Sequence, residues 1–233
     1  MNTLPTHWFF DLDGTLARTG EDIVIAWKGA LTALGRDLTH FDDVFRIGPP
    51  LEKIVYDLYD DATPELVADL LRRFKPLYDE SGFPNTVPYE GVPEMLTALR
   101  QAGAKIYIVT NKRHDPTQGI VRKLGWNRIF DGVWSYDSFD VKYKKPDLLR
   151  RLLGDLGVSA CPPSEASCEA GAMRGANAVM VGDTKGDVDA GAANGMMTIG
   201  VTWGYGSREE LSAADRIVDS PSKILQPFNP STL

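Results

Sequence analysis

The sequence predicts an α/β fold, a parallel sheet with helices on both faces, into which an all-helical segment is inserted after the first strand. Three observations carry this. From Val92 onward, short apolar runs alternate with stretches of helical periodicity. Between the first apolar run and Val92 the periodicity is helical only. Two apolar runs, Trp8–Phe10 and Ala178–Val181, lead almost directly into acidic residues, as strands do when their carboxyl ends line a site.

Trp8, Phe9 and Phe10 read as a short buried strand, with Gly14 as the turn after it. Ile23, Trp27, Ala30, Leu31 and Leu34 then recur at helical spacing up to Gly35. A second helix is expected around Leu51 to Tyr59, opened by Gly48-Pro49-Pro50. A third begins at Thr63-Pro64-Glu65, with Thr63 as N-cap, and carries Leu66, Leu70, Phe74 and Leu77 on one face. Gly82, Pro84, Asn85 and Pro88 end this block.

Beyond it come a helix near Val92–Ala102, a strand at Lys105–Val109 and a helix at Asp115–Leu124. A strand near Gly132–Ser135 and a helix near Asp147–Leu156 follow. Strand Ala178–Val181, a helix from Asp187, and strands at Thr198–Val201 and Arg216–Val218 complete the pattern. The segment near 158–177 interrupts it. Rich in small residues and without apolar periodicity, it reads as a surface excursion. It holds both cysteines, Cys161 and Cys168, read as free loop thiols rather than a disulfide or a metal site.

Length and composition admit a large α/β domain with a smaller companion, since 43% hydrophobic and 24% charged residues over 233 positions are ordinary for a globular chain. A net charge of −7 and a pI near 5.0 argue against a nucleic-acid surface. No apolar run approaches membrane-spanning length and the N-terminus lacks a signal-peptide pattern, so the expectation is a cytoplasmic protein with reduced thiols and no membrane partner. A monomer or weak homodimer is expected.

The most informative segment is His7-Trp8-Phe9-Phe10-Asp11-Leu12-Asp13-Gly14-Thr15-Leu16. Strand alternation puts Asp11 and Asp13 on the same side at the strand's carboxyl end. Two carboxylates held close there repel unless a cation or a shared proton intervenes. A Mg²⁺ site, a nucleophile beside an acid, or both would satisfy them. A calcium loop of the EF-hand kind does not fit, because Asp22 rather than Glu stands at the twelfth position.

Three further elements follow in order. Lys105-Ile106-Tyr107-Ile108-Val109-Thr110-Asn111 is an apolar strand ending in a hydroxyl and an amide, able to donate to a phosphoryl oxygen or to cap a helix. Lys144-Lys145-Pro146-Asp147 places an ammonium before a proline, where an extended backbone is expected. Ala178-Val179-Met180-Val181-Gly182-Asp183-Thr184-Lys185-Gly186-Asp187 is a strand running into acid, with Asp187 near a helix start that favours a carboxylate.

In this order, over nearly the whole chain, the four elements resemble the haloacid dehalogenase superfamily of phosphatases. The helical block resembles the cap of that superfamily's phosphoglycolate-phosphatase-like branch. The resemblance implies a Rossmann-like parallel-sheet core of residues 1–16 and 88–233 and an α-helical cap of residues 17–87, with hinges near 17–20 and 85–91. It implies a Mg²⁺-dependent phosphomonoester hydrolase in which Asp11 is the nucleophile and Asp13 the acid and base. Mg²⁺ would be held by the Asp11 and Asp183 carboxylates and the Asp13 main-chain carbonyl, with Asp187 orienting them from behind. Thr110, the Asn111 main chain and Lys145, rather than Lys144, would hold the transferring phosphoryl group.

Dehalogenases of the superfamily lack the second aspartate, so Asp13 argues against dehalogenation. In the cap, Arg46-Ile47-Gly48-Pro49-Pro50-Leu51 resembles a loop turned toward the site, and Arg46 could pair with a substrate carboxylate or lie on the surface. Arg18 could read substrate or solvate the hinge. Lys112 and His114 receive no role. The expected partner is a small phosphorylated metabolite, with phosphoglycolate, a nucleoside monophosphate and a sugar phosphate all compatible. A phosphotransferase such as a sugar phosphomutase, or a non-enzymatic binding module, are the alternatives.

Overall fold

The computed structural model describes residues 4–48, 51–158 and 177–226. The excursion containing Cys161 and Cys168 lies outside the described residues. Strand β1 (His7–Phe10) is followed by β2 (Ala17–Arg18) and then four helices, α1 (Gly20–Ala33), α2 (Phe41–Val44), α3 (Leu51–Leu58) and α4 (Pro64–Asp79). The chain returns through β3 (Val87–Pro88) to α5 (Val92–Gln101), β4 (Lys105–Thr110), α6 (His114–Lys123) and β5 (Gly132–Ser135). It ends with α7 (Lys145–Leu156), β6 (Ala178–Gly182), α8 (Lys185–Ala193), β7 (Met197–Val201) and β8 (Arg216–Val218).

The main sheet has six strands in the order β5-β4-β1-β6-β7-β8, every neighbouring pair parallel. β1 is central because its residues are apolar on both faces, as a strand covered by helices on both sides requires. Trp8 and Phe10 join the core on one face, while Phe9 packs with Tyr107, Leu148, Leu149 and Leu152 on the other. Phe10 is in register with Ile108 of β4 and Val181 of β6. β6 runs one residue and β4 two residues past this register, so Asp11, Asp183 and Thr110 fall within about a residue of one another along the sheet, and the Asp11 N–H extends the ladder to the Val181 carbonyl at 3.0 Å.

The inserted helices share an aromatic centre continuous with the Trp8 face of the sheet. Trp27 of α1 stands 5.2 Å from Phe74 of α4 and 5.9 Å from Phe45, ring centre to ring centre. Thr63 caps α4 as expected, its Oγ1 accepting from the Leu66 N–H at 3.2 Å. The buried face of α4 differs from expectation. Val67, Leu70, Phe74 and Tyr78 point inward, whereas Leu77 is 48% exposed. The turn of the helix takes the stripe from Phe74 to Tyr78, four residues on, which leaves Leu77 off it.

Sequence reading missed α2 and the pairing at the two crossings. Ala17 and Arg18 form an antiparallel ribbon with Pro88 and Val87, so the expected hinges are joined to each other. The returning crossing is also held from both sides. The buried Asp22 of α1 accepts from the Asn85 N–H, Asn85 Nδ2 and Thr86 Oγ1 at 2.7–3.1 Å. Lys123 of α6 donates to the carbonyls of Phe83 and Thr86. Arg113 pairs with Asp79 at the end of α4 through two hydrogen bonds.

A second difference concerns α7. It begins at Lys145, two residues earlier than expected, and the extended residue is Lys144, with ψ 151°. Among the described residues no helix is long and apolar enough to cross a membrane.

Replacing Asp22 with Ala strips three donors of their acceptor in a buried setting. The expected loss is about 2–4 kcal/mol, at about 1–3 kcal/mol for each buried group left unpaired and with some groups regaining water. Denaturant unfolding of the variant measures it, and a loss below about 0.5 kcal/mol would show that Asp22 does not tie the crossing.

Candidate active site

The neighbouring carboxyl ends of β1, β4 and β6 set the site. Asp11 directly follows β1, Thr110 ends β4, and Asp183 directly follows β6. Lys145 comes from the first turn of α7 and Asp187 from the first turn of α8. All five are buried.

The ammonium of Lys145 lies between two carboxylates. It donates a short hydrogen bond to Asp187 Oδ1 and stands 2.9 Å from Asp11 Oδ1. The second contact is an ion pair without hydrogen-bond alignment, which leaves Asp11 Oδ1 buried and without a directed donor among the described residues. Asp187 accepts three hydrogen bonds in all. Its Oδ2 accepts from the Thr184 N–H at 3.1 Å and the Thr184 hydroxyl at 2.6 Å, closing a capping box at the start of α8. Asp183 accepts from Thr15 Oγ1 at 3.0 Å and from the Tyr205 N–H at 2.8 Å, one bond to each oxygen.

Asp11, Asp183 and Asp187 offer oxygens within 4.8 Å of one another. Lys145 pairs with Asp11 and Asp187, which leaves Asp183 without an ion pair among the described residues. Burial first, then Asp187 and Asp13, push the Asp11 carboxyl up to about 6 against the pull of Lys145. Burial, then Asp187 and Asp11, push Asp183 up to about 7. Burial alone would lower Lys145, but the attraction of Asp11 and Asp187 outweighs it and leaves the ammonium above the ordinary lysine range.

These residues fit a divalent cation. The site has excess negative charge, an unaligned buried oxygen on Asp11 and a spare lone pair on each oxygen of Asp183. Asp187 accepts three hydrogen bonds, one of them from Lys145, against two for Asp183, and fits the supporting place better than a ligand's. The wall near Asp183 admits no side chain. A Cβ at Gly14, where φ is +79°, would fall 2.1 Å from Asp183 Oδ2, and one at Gly204 would fall 2.4 Å from it.

Asp13 lies beside this cluster. Its Oδ1 accepts from Thr19 Oγ1 at 2.5 Å and from Lys112 Nζ at 3.0 Å, and its Oδ2 stands 3.1 Å from the same ammonium. The Thr110 hydroxyl accepts from the Lys112 N–H at 3.2 Å. A cavity of about 400 Å³ opens over the group. Asp11, Asp13, Thr110, Asn111, Lys145, Asp183 and Arg46 all line it. The structure thus brings Arg46, on the loop between α2 and α3, to the same space as the strand-end residues, although its Nη1 donates to the neighbouring Phe45 carbonyl at 2.8 Å. Asp187 lies behind the wall. Arg18 is exposed and does not line the cavity. His114 opens α6, where its N–H donates to Asp137 Oδ1 at 2.8 Å.

Sequence reasoning missed Thr15, Thr19, Lys112, Tyr78 and Tyr205. Thr15 and Thr19 follow the first motif closely, so a hydroxyl beside paired acids was a readable signal. Tyr205 was not readable. It reaches the site because the segment after β7 folds back over Asp183, its hydroxyl accepting from the N–H groups of Thr19 and Gly20.

A Rossmann-like parallel sheet with acids and a lysine at adjoining strand ends, under an inserted helical segment, defines a hydrolase of the phosphatase type. The chain belongs to the haloacid dehalogenase-like hydrolase family, whose model matches residues 8–201, and to its phosphoglycolate-phosphatase-like branch. It is 33% identical to the pyrophosphatase PpaX of Bacillus velezensis, over 94% of each chain. It is 30% identical to a phosphoglycolate phosphatase of Aquifex aeolicus, over 84% of each. The crystal structure of a predicted phosphatase from Clostridium acetobutylicum superposes with a TM-score of 0.77 at 26% identity, covering 95% of this chain and 96% of that one.

The raised carboxyls give a stability signature. A carboxyl whose folded value lies above its unfolded one binds protons more tightly when folded, so its contribution is full at low pH and is lost as pH rises through the folded value. For Asp11 and Asp183 the loss falls between about 4 and 7. Without metal, the melting temperature of wild type should fall across that window relative to Asp183→Asn. Mg²⁺ should raise it more at pH 8 than at pH 5. Parallel curves for the two proteins, or an equal Mg²⁺ effect at both pH values, would refute the account of the acid cluster.

Proposed function

We propose that the protein is a Mg²⁺-dependent phosphatase that hydrolyses a small phosphomonoester through an aspartyl-phosphate on Asp11. The observation that carries this is the single cluster at the strand ends, where Asp11 has a buried oxygen beside Lys145 and Asp13 stands next to it facing the same cavity. The names of the relatives, a pyrophosphatase and a phosphoglycolate phosphatase, support a small phosphorylated substrate.

In this reading the Asp11 carboxylate attacks phosphorus, and the bond from phosphorus to the leaving oxygen breaks. Asp13 gives its proton to that oxygen, then takes one from the water that attacks the phospho-aspartate, which returns Asp11 and releases phosphate. Lys145 balances the charge of Asp11 and of the phosphoryl group, and Asp187 keeps its ammonium in place. Thr110 and the Asn111 main chain hold phosphoryl oxygens. Asp11, Asp183 and the Asp13 main-chain carbonyl would hold Mg²⁺, which when bound supplies positive charge to the phosphoryl oxygens. Residues 17–87 act as a cap on the core formed by 1–16 and 88–233, and screen the site from bulk solvent while admitting the one water that attacks the phospho-aspartate.

An aryl phosphate assay with and without Mg²⁺ tests the reading. Chelation should abolish turnover and Mg²⁺ restore it, while Ca²⁺, with its looser shell, should not substitute. Asp11→Asn should lose about a thousandfold or more, because an amide is a poor nucleophile. Activity that survives either change would exclude the mechanism.

Asp13→Asn should harm an alkyl phosphate by about a hundredfold more than an activated aryl phosphate, since an activated alcohol leaves without a proton. Equal losses would remove Asp13 from the acid role.

Arg46 lines the cavity from the inserted segment, which supports reading it as the partner of a substrate carboxylate. Arg46→Ala should raise KM tens-fold for a carboxylate-bearing phosphate, in line with about 2–4 kcal/mol for breaking a closed pair, and leave an aryl phosphate nearly unchanged. Equal changes for both would mean that Arg46 does not discriminate.

A further inference from the structure

The Asp13 carboxylate is gripped rather than free. One ammonium, Lys112 Nζ, contacts both of its oxygens at 3.0 and 3.1 Å. The Lys112 side chain is only 7% exposed, so its charge relies on protein partners more than on water. Its other neighbour is the ring of Tyr78, whose centre lies 4.6 Å from Nζ. A cation withdrawn from water gains from an aromatic face. Tyr78 belongs to α4 of the inserted segment and is itself fixed, stacked on Phe74 at 5.4 Å and edge-on to Phe83 at 5.2 Å.

Lys112 follows β4 by two residues, in the core. A single side chain therefore touches the acid on the core side and an aromatic face on the cap side. A lysine head on a flexible four-carbon stem goes where its contacts place it. Without it, Asp13 would keep the Thr19 hydroxyl as the one hydrogen-bond donor to its carboxylate among the described residues.

We propose that Lys112 is a positioning residue that holds the Asp13 carboxylate at the cavity wall, and that Tyr78 seats Lys112, so that the inserted helices fix where the proton donor stands. The inference rests on the reading of Asp13 as the acid and goes beyond it by naming what places that acid. The Tyr78 hydroxyl is buried and has no hydrogen-bond partner among the described residues, so the ring face is the part of Tyr78 this arrangement uses.

The experiment measures kcat/KM for β-glycerophosphate, a poor leaving group, and para-nitrophenyl phosphate, a good one, both with Mg²⁺. Lys112→Met should lower the first about a hundredfold and the second about tenfold or less, at the scale of general-acid catalysis. Lys112→Arg, which keeps the charge, should keep most of the ratio between the two. Tyr78→Leu should shift the ratio in the same direction as Lys112→Met, and Tyr78→Phe, which keeps the ring face, should keep it. In an Asp13→Asn background Lys112→Met should leave the ratio where Asp13→Asn has put it, because its effect passes through Asp13.

Equal losses on both substrates for Lys112→Met, or a further change of the ratio in the Asp13→Asn background, would overturn the inference. If Asp13→Asn discriminates and Lys112→Met does not, this inference alone falls. If Asp13→Asn itself does not discriminate, the acid assignment falls and the inference with it. The two Tyr78 variants decide the question if Lys112→Met does not fold: loss of the ratio in Leu but not Phe supports the seat, and no difference between them overturns it.

Discussion

The structure turns on the ammonium of Lys145, buried between Asp11 and Asp187. Local rules disfavour it there. It occupies the first turn of α7, the positive end of a helix dipole, and it is cut off from water. Only the two carboxylates make the position tolerable, and those carboxylates are themselves crowded by Asp183. Each charge is acceptable because of another, so the cluster is a unit that a change in any member disturbs. A local conflict of this kind, maintained inside an otherwise regular fold, is where function is expected.

The fold supplies what the cluster needs. In-register pairing of β1 with β4 and β6 brings Asp11, Thr110 and Asp183 within about a residue of one another along the sheet without any loop having to reach them. Asp187 joins from behind by capping α8, a place where a carboxylate is favoured, and spends its remaining oxygen on Lys145. The inserted helices close over the other side. Their aromatic centre, Trp27, Phe45 and Phe74, is continuous with one face of the sheet, and hydrogen bonds accepted by Asp22 and donated by Lys123 hold the returning crossing. The polypeptide carries a net charge of −7 and the strand-end cluster is itself acidic, yet the cavity as a whole is lined by six basic residues, Arg46, Lys75, Lys112, Arg113, Lys142 and Lys145, against four acidic ones. That local balance suits an anionic substrate better than the whole-chain charge suggests.

Much of this was legible in the sequence because the signals are local. Apolar runs that end in acid marked β1 and β6, and alternation with helical periodicity marked the parallel sheet. Thr63 before Pro64 marked the start of α4. Asp11, Asp13, Thr110, Lys145 and Asp183 stood out because each lies at a strand end or in a motif of fixed spacing. The start of α7 was misplaced because proline at the second helical position makes Lys145 look extended, when it is Lys144 that is. The ribbon of Ala17–Arg18 with Val87–Pro88 was not legible, since two-residue strands leave no periodicity. Lys112, Tyr78 and Tyr205 acquire their places only through contacts across the chain. A basic residue after Thr-Asn, or a tyrosine on an aromatic helix face, reads the same in a chain where it does nothing.

The central claim is that Asp11 carries the phosphoryl group. Quenching the enzyme during turnover of an aryl phosphate with Mg²⁺, reducing the acyl-phosphate with borohydride and mapping the peptide tests it directly. An aspartyl-phosphate on Asp11 predicts homoserine at position 11. Turnover with unmodified Asp11, or with modification at another carboxylate instead, would contradict the account.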